Sequence, residues 1–438
     1  MKNVLKMIVT ITSLSLCMGC LTVRIPKVQM ASLTEGERFA WSYVVKQALE
    51  HNPDLLAARF GIKSSARSRD VAFGSYLPTV TGDLQRSRSR TTSTSMKDGL
   101  GLNIIGEQQL FTGFGTTGKF LQAKKELEAS KWAYQETSAN VRFQLRSVYI
   151  ELLRLERLLD VNQRIAERRR QNAQLVRLRY NAGREHLGSA MRAEAIAEQA
   201  AYDVRQTLRR MESQSILLGR EAGEEVVSQV QVEGNLELMI PKISDSKPEY
   251  SMLAEGVPKV RQLIRTAESL KAAIISAQSA VWPQVGSTVN YGYMGGKFSN
   301  LKDELALALK VSVPFFNGGK NIAAIRKAKA DYQVAVETVR SARDGVIADL
   351  ADAHAQLMDT MELVEVKKKF LEAARKRSEI VKSEYTTGLV NFQDFDIAEQ
   401  DLADSEKAYV ASLANVLTQE ADWEFVKGST LEEALHEI

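Results

Sequence analysis

Hydrophobic positions along this chain change period twice in the same order, and that order predicts its elements. Val141, Leu145, Val148, Leu152, Leu155 and Leu159 alternate spacings of four and three, the seam of a coiled coil. No proline or internal turn signal interrupts the stretch from Gly118 to Asn181, so one helix roughly 95 Å long is predicted at ~1.5 Å per residue. Val346, Leu350, Ala353 and Leu357 repeat the phase within a second long helix, from Gly319 to about Thr386. Further helices are predicted from about Ser189 to Gly219 and from about Phe392 to Lys427, with shorter ones ahead of Pro78 and Pro283. After each of those prolines the period drops to two. Val285, Val289, Tyr291 and Tyr293, then Leu305, Leu307, Leu309, Val311 and Val313, alternate with small or polar residues. That is a β-hairpin with one apolar face, its loop near Gly295 to Lys302. Val80, Gly82 and Leu84, then Leu100, Leu102 and Ile104, give a weaker version with a loop from about Ser87 to Lys97.

These two series are copies of one pattern displaced by 205 residues, the separation of Pro78 and Pro283. Without a gap the same offset pairs Pro53 with Pro258, Val80 with Val285, Phe111 with Phe316 and Gly113 with Gly318. It also pairs Val176 with Val381, Tyr180 with Tyr385, Gly183 with Gly388, and Ala193-Glu194 with Ala398-Glu399. Matches concentrated at prolines, glycines and aromatics mark shared structural punctuation, so the halves are expected to share a fold. The division is 20–220 for the first repeat, with hairpin 79–110 and tip turn 180–188, and 221–256 for an insertion. The second repeat is 257–427, with hairpin 284–315 and tip turn 385–391, followed by a tail at 428–438.

Composition narrows the class. Lys and Arg number 58 against 54 Asp and Glu; with the signs intermixed, a net charge of +4 offers no stripe for nucleic acid. Lys2 and Lys6 precede an apolar run ending at Gly19 and Cys20, which reads as a secretory signal peptide over residues 1–19. Small residues before a cysteine suit lipoprotein processing, so Cys20 is the candidate lipidation site, although Cys17 stands where such a box usually has leucine. Only those two cysteines occur, leaving a chain that starts at Cys20 without a disulfide or thiolate metal site. His51, His186, His354 and His436 are scattered, and no metal or other cofactor is implied. No nucleophile–base pair appears, and Gly113-Phe114-Gly115-Thr116-Thr117-Gly118 fits a nucleotide loop in letters but lacks a βαβ setting.

Strands of about ten residues with alternating faces cross a bilayer only when both backbone edges are paired. Four strands cannot close a barrel; two chains would supply eight and three would supply twelve, and a conducting pore favours twelve. A small soluble sheet is the other reading of the alternation. An export signal, the lack of a ~18-residue apolar run and helices too long for a compact domain favour the barrel.

Several motifs then resemble the TolC-like outer-membrane efflux family. They are Ala48-Leu49-Glu50-His51-Asn52-Pro53 in the first helix, Tyr76-Leu77-Pro78, Leu110-Phe111-Thr112-Gly113-Phe114-Gly115 and Pro314-Phe315-Phe316-Asn317-Gly318-Gly319. The turns Arg179-Tyr180-Asn181-Ala182-Gly183 and Glu384-Tyr385-Thr386-Thr387-Gly388-Leu389-Val390 also match. The resemblance implies an α+β membrane protein: a homotrimer with a twelve-stranded outer-membrane barrel, a periplasmic helical coiled-coil tunnel and a belt built from the insertion and tail. Pro78, Phe111, Gly113, Pro283, Phe316 and Gly318 would form the barrel–tunnel junction. The tips, at Tyr180, Gly183, Arg184, Tyr385, Gly388, Leu389 and Val390, would meet a periplasmic adaptor serving an inner-membrane pump. Asp394, six residues past Gly388, is the implied gate carboxylate, with Asp396 nearby; capping of a helix N-terminus is the other reading of Asp394. A non-conducting, lipid-anchored coiled-coil spacer would also use long heptad helices but has no use for four alternating strands.

Overall fold

The computed structural model describes residues 32–33, 38–89, 97–226, 230–240, 247–296 and 301–435. The expected signal peptide, Cys20, His436 and parts of both hairpin loops, of the insertion and of the tail lie outside the described residues. In chain order the elements are β1 (Ser32–Leu33), β2 (Arg38–Phe39), α1 (Trp41–His51), α2 (Pro53–Gly74), β3 (Thr79–Ser89) and β4 (Lys97–Phe111). Then come α3 (Gly115–Asn181), α4 (Leu187–Ala222), β5 (Glu225–Val226), β6 (Gln231–Val232), α5 (Tyr250–Gly256) and α6 (Pro258–Gln278). Strands β7 (Gln284–Gly295) and β8 (Lys302–Ser312) and helices α7 (Lys320–Thr387) and α8 (Phe392–Lys427) complete the second half.

Helices α3 and α7 contain 67 and 68 residues, each about 100 Å long at ~1.5 Å per residue. Val141, Leu145, Leu152 and Leu155 of the expected seam are fully buried, and α3 also buries Tyr149, Ile150 and Leu153 beside it. The wider stripe reflects its neighbours: α3 packs against α2, α4, α6 and α8, whereas a simple two-helix seam serves only one. Val346, Leu350, Ala353 and Leu357 of α7 are buried in the same core.

Three boundaries differ from the sequence reading. The first helix is two helices, because Pro53 lacks an N–H and holds Asn52 in an extended conformation (φ −60°, ψ 123°). Asn52 then starts α2: its Oδ1 accepts from the Asp54 and Leu55 amides (2.9 and 3.1 Å), and its Nδ2 donates to the Glu221 carbonyl (2.7 Å). Val257 takes the same backbone turn ahead of Pro258 but has no capping side chain. Strand β8 ends at Ser312 rather than 315, since Pro314 cannot extend the ladder. The α4 helix runs past Gly219 to Ala222 and stops at Gly223, whose φ is +77°.

At mid-height the insertion is tied in by two short parallel bridges, β1 to β5 and β2 to β6. Tyr149 lies beneath them, its hydroxyl directed at the carbonyls of Phe39 and Glu233 (3.0 and 2.5 Å). Burial pushes that hydroxyl up to about 12. The tail also clasps α3: Ser138 and Tyr134 both donate to Glu432 (2.5 Å each).

Gly223 and Gly428 are again 205 residues apart, and both have positive φ, +77° and +82°. A Cβ on Gly223 would strike the His51 carbonyl, and one on Gly428 would strike the Pro258 ring. Each helix-ending glycine therefore lies against the start of its own repeat. Gly223→Ala and Gly428→Ala are predicted to lower the thermal unfolding midpoint by several degrees, combining backbone strain of roughly 1–3 kcal/mol with the clash. Gly318→Ala, with positive φ but open space around it, is predicted to lower it less. Thermal melts of the purified protein followed by circular dichroism test this order.

Candidate functional site

One antiparallel sheet, in the order β3-β4-β7-β8, has two chemically distinct faces. The register aligns Val80 with Gly106 and Val289, Gly82 with Ile104 and Tyr291, and Leu84 with Leu102 and Tyr293. Leu305, Leu307, Leu309 and Val311 of β8 continue that face opposite Tyr291, Val289, Ser287 and Val285. Val80, Leu84, Leu305, Leu307 and Leu309 are each at least 63% exposed, so nothing among the described residues covers this apolar surface. The reverse face carries Thr79, Thr81, Asp83 and Gln85, then Gly101, Asn103 and Glu107, then Thr288, Asn290 and Gly292, and Glu304 and Lys310. Among the described residues the outer edges of β3 and β8 pair with no other strand.

At the sheet's helical end the two halves meet tightly on one side. Gly113 has φ +60°, and a Cβ there would be 2.5 Å from Trp282 Cβ. Gly115 and Gly118 let the first turn of α3 approach Ser279 and Ser276 at the end of α6. Phe114 adopts φ +69°, the sole non-glycine positive φ among the described residues, and its ring meets Phe111 and Trp282 edge-on at 5.5 and 6.1 Å. Phe73, Tyr76 and Phe120 form a second aromatic group, with centroids 6.0 to 6.1 Å apart. On the repeat-equivalent side, Gly318 and Gly319 have positive φ but no neighbour among the described residues within 4 Å of an added Cβ, and Phe315, Phe316 and Ile322 are exposed. Val71, Phe73 and Leu77 at the end of α2 are exposed as well. The joint that α3 makes with α6 therefore has a vacant counterpart, with α7 offering one half of it and α2 the other.

At the opposite end of the helices the tip turns cross-link the repeats. Tyr385 is fully buried, its ring stacked on Phe395 (4.7 Å, 3°) with the Arg179 guanidinium over it at 4.5 Å. Its hydroxyl donates to Glu185 (2.9 Å), and its carbonyl accepts from Arg179 (2.5 Å). Burial raises the Glu185 carboxyl, but hydrogen bonds from Tyr385, the His186 amide and Ser189, with Arg179 nearby, outweigh this and hold it below its ordinary value. Burial beside Glu185 pushes the Tyr385 phenol well up. Tyr385 is thus an internal brace, its ring and hydroxyl turned into the tip rather than out to its surface. Gly183, Arg184, Gly388 and Leu389 are exposed at the tip, with Tyr180 and Val390 half-buried behind them. Gly183 and Gly388 reverse the chain with φ +71° and +86°.

Asp396 is also inside. It is 8% exposed and accepts from Arg169 (3.2 Å) on α3 and Arg192 (3.0 Å) on α4. This buried, ion-paired carboxylate faces α3 and α4 within the chain. Asp394 is exposed, and its amide donates to the Asn391 cap (2.9 Å). Deeper along α8, Glu399 accepts from Ser378 and Asn172 (2.5 and 2.9 Å), and Glu406 takes Arg168 in a two-pronged pair (2.8 and 3.3 Å). Burial lowers the Arg169 guanidinium, against the pull of Glu399 and Asp396. Asp396, Glu399 and Glu406 alternate spacings of three and seven on one stripe of α8. Acids at such seam positions are a signal in the sequence that hydrophobic period alone does not register. Among the described residues no group of three or more His, Cys, Asp or Glu could hold a metal.

A family model described as outer membrane efflux protein matches residues 44–218 and 250–426. The chain is 21% identical over 384 residues to the outer membrane efflux protein BepC of Brucella suis biovar 1, covering 85% of this chain and 81% of that one. Its fold is similar to the open state of the Neisseria gonorrhoeae MtrE outer membrane channel, with TM-score 0.79, 19% identity, and 89% of each chain covered. It is likewise similar to the outer membrane protein VceC of Vibrio cholerae, with TM-score 0.77, 18% identity, and 89% and 96% covered.

Two predictions follow from the tip. Asp396→Asn leaves the Arg169 charge buried with the Gln400 oxygen and the Glu399 carboxylate as its remaining partners, and is predicted to cost roughly 3 kcal/mol. The tip should then be cut faster by trypsin, which limited proteolysis reads directly. Because the Glu185 carboxyl is held low in the folded chain, its contribution is present above its unfolded value of about 4.3 and is lost as pH falls through the lower folded one. Hydrogen exchange should show the 180–190 amides losing protection as pH falls below the ordinary glutamate range. Tyr385→Phe should move that loss to higher pH.

Proposed function

The chain belongs to the outer membrane efflux protein family, and on that premise we propose that it is one third of a homotrimeric exit duct. The observation that carries the reading is a four-stranded sheet with an uncovered apolar face and two unpaired edges. In lipid an unpaired backbone amide or carbonyl costs several kcal/mol, so β8 of one copy pairs with β3 of the next. Three copies give twelve strands, wide enough for an aqueous lumen lined by the polar face; two would give an eight-stranded barrel filled by its own side chains. The vacant joint supports the same closure: α7 of one copy meets α2 of the next as α3 meets α6 within the chain, which extends the helices into a tunnel.

In this reading Pro78, Phe111, Gly113, Pro283, Phe316 and Gly318 turn the barrel into the tunnel, with their aromatic neighbours at the inner interface. The repeats at 20–220 and 257–427 each supply one hairpin and one helical pair to the wall, and the 221–256 insertion with the 428–438 tail girdles it. An inner-membrane pump supplies energy and selection through a periplasmic adaptor, which meets the exposed tip residues Gly183, Arg184, Gly388 and Leu389. Three copies of Asp394 would place a ring of carboxylates at the tunnel end and favour cations by charge. Cys20 carries the lipid anchor. The duct needs no cofactor.

Purified protein in detergent tests this directly. A heat-modifiable trimer that opens steady conductance steps in planar bilayers is the expected result; a soluble elongated monomer without conductance would instead support the spacer. Leu307→Arg places a charge on the apolar face at mid-strand, predicted to cost about 2–4 kcal/mol and to deplete trimers from the outer membrane. Ala306→Arg, on the opposite face, is predicted to assemble and to alter conductance.

A further inference from the structure

Counted from the helical end of each strand, the loop end of the apolar face has a different character in the two halves. Tyr291 and Tyr293 lie seven and nine residues beyond Gln284, with hydroxyls 3.3 Å apart. Their repeat equivalents, seven and nine residues beyond Thr79, are Arg86 and Arg88. By strand alternation both arginines share a face with Val80, Gly82 and Leu84. At ~3.3 Å per residue and a tilt near 40°, the seventh and ninth positions stand roughly 18 and 23 Å up a band about 25 Å tall. Tyrosine at that height lies where acyl chains give way to headgroups. Arginine at the same height needs an anion.

The two guanidinium groups are not equivalent. Arg88 is committed to Asp98 through two bonds, 2.6 and 3.2 Å. Arg86 is exposed, opposite Leu100 in the register, and next to it on its own face are Leu84 and Arg88. No hydrogen bond or ion pair to Arg86 occurs among the described residues. Its long apolar stem can lie along the leucines while the head extends ~6 Å toward the surface. The other carboxylate on this face at the loop end is Asp303, opposite Tyr293 on the far edge strand.

We infer that Arg86 is a lipid-phosphate site, binding the phosphorylated headgroup of an outer-leaflet lipid against the barrel wall, once per protomer. This rests on the channel reading above. A guanidinium offers paired N–H donors to phosphate oxygens, and it does so best at the low-dielectric boundary where water competes least. Tyr291 and Tyr293 mark the same level on the second hairpin, so a lipid headgroup meets alternating cationic and phenolic segments around the trimer. The Arg88–Asp98 pair beside it is self-neutralised and holds the strand ends together.

The test uses purified full-length oligomer in detergent, titrated with bisphosphorylated lipid A and with the same acylated disaccharide lacking phosphates, bound lipid being counted by native mass spectrometry. Arg86→Gln should weaken binding of the bisphosphorylated form at least tenfold and leave the phosphate-free form unchanged, while Arg86→Lys should retain part of the affinity. Equal binding by wild type and Arg86→Gln, or equal affinity for both lipids, overturns the inference. So does a fall in the oligomer's heat resistance shared by Arg86→Gln and Asp303→Asn without any change in lipid binding, since the neighbour's carboxylate would then be the true occupant. A wild-type protein that forms no oligomer and inserts into no bilayer sinks the channel reading and this one with it.

Discussion

Backbone hydrogen bonding at the sheet edges is the constraint on which this architecture depends. Strands β4 and β7 each have a neighbour on both sides, with one irregularity between Gln109 and Phe111, whereas the outer sides of β3 and β8 have no partner among the described residues. In water such edges would be an aggregation hazard; in hydrocarbon they cannot remain open at all. The apolar face excludes the first environment and the open edges exclude an isolated copy in the second. In the proposed trimer, association of identical chains satisfies both, and the polar reverse face encloses the duct.

Duplication explains how one chain offers complementary surfaces to its own copies. The joint between the first exit turn and the end of α6 is filled, and its equivalent between the second exit turn and the end of α2 is empty. In the proposed trimer a repeat packs against its successor between chains as it does within the chain, a heterologous contact that closes when the rotation divides a full turn. The repeats have meanwhile diverged in charge. Arg168, Arg169, Arg179 and Arg192 belong to the first, and Asp396, Glu399 and Glu406 to the second, so α3 and α8 are held near the tip by ion pairs rather than by leucines. Such contacts carry little net stabilisation but penalise any other pairing strongly. They suit a part of the molecule that has to hold one arrangement without a thick apolar core: the tip core is a small cluster around Val176, Tyr385 and Phe395, while the main core lies at mid-height.

Fold and site were unequally legible in the sequence. Helices, hairpins and their order followed from period, because an element with one apolar face repeats its apolar residues at the spacing of its backbone: Val141 to Leu155, buried in the core, and Leu305 to Val311, exposed on the sheet, show it. The site residues were harder. Asp394 and Asp396 are two positions apart and carry the same chemistry, yet one is exposed and the other clamped by two arginines from the first half. Tyr385 and Tyr180 match by offset, but only Tyr385 is fully buried, because Arg179 and Glu185 happen to converge on it.

The chain by itself determined the duplication, the length and phase of the helices, the faces of the strands and the places where proline and glycine stop or turn them. These are consequences of backbone sterics and of hydrophobic period, which act on neighbours in sequence. Tertiary structure alone decided which half's charges neutralise which, why Gly223 and Gly428 tolerate no side chain, and that the two-residue bridges of the insertion seat over Tyr149. Those outcomes depend on groups tens to hundreds of residues apart meeting at hydrogen-bond distance, and no local pattern in the sequence encodes that distance.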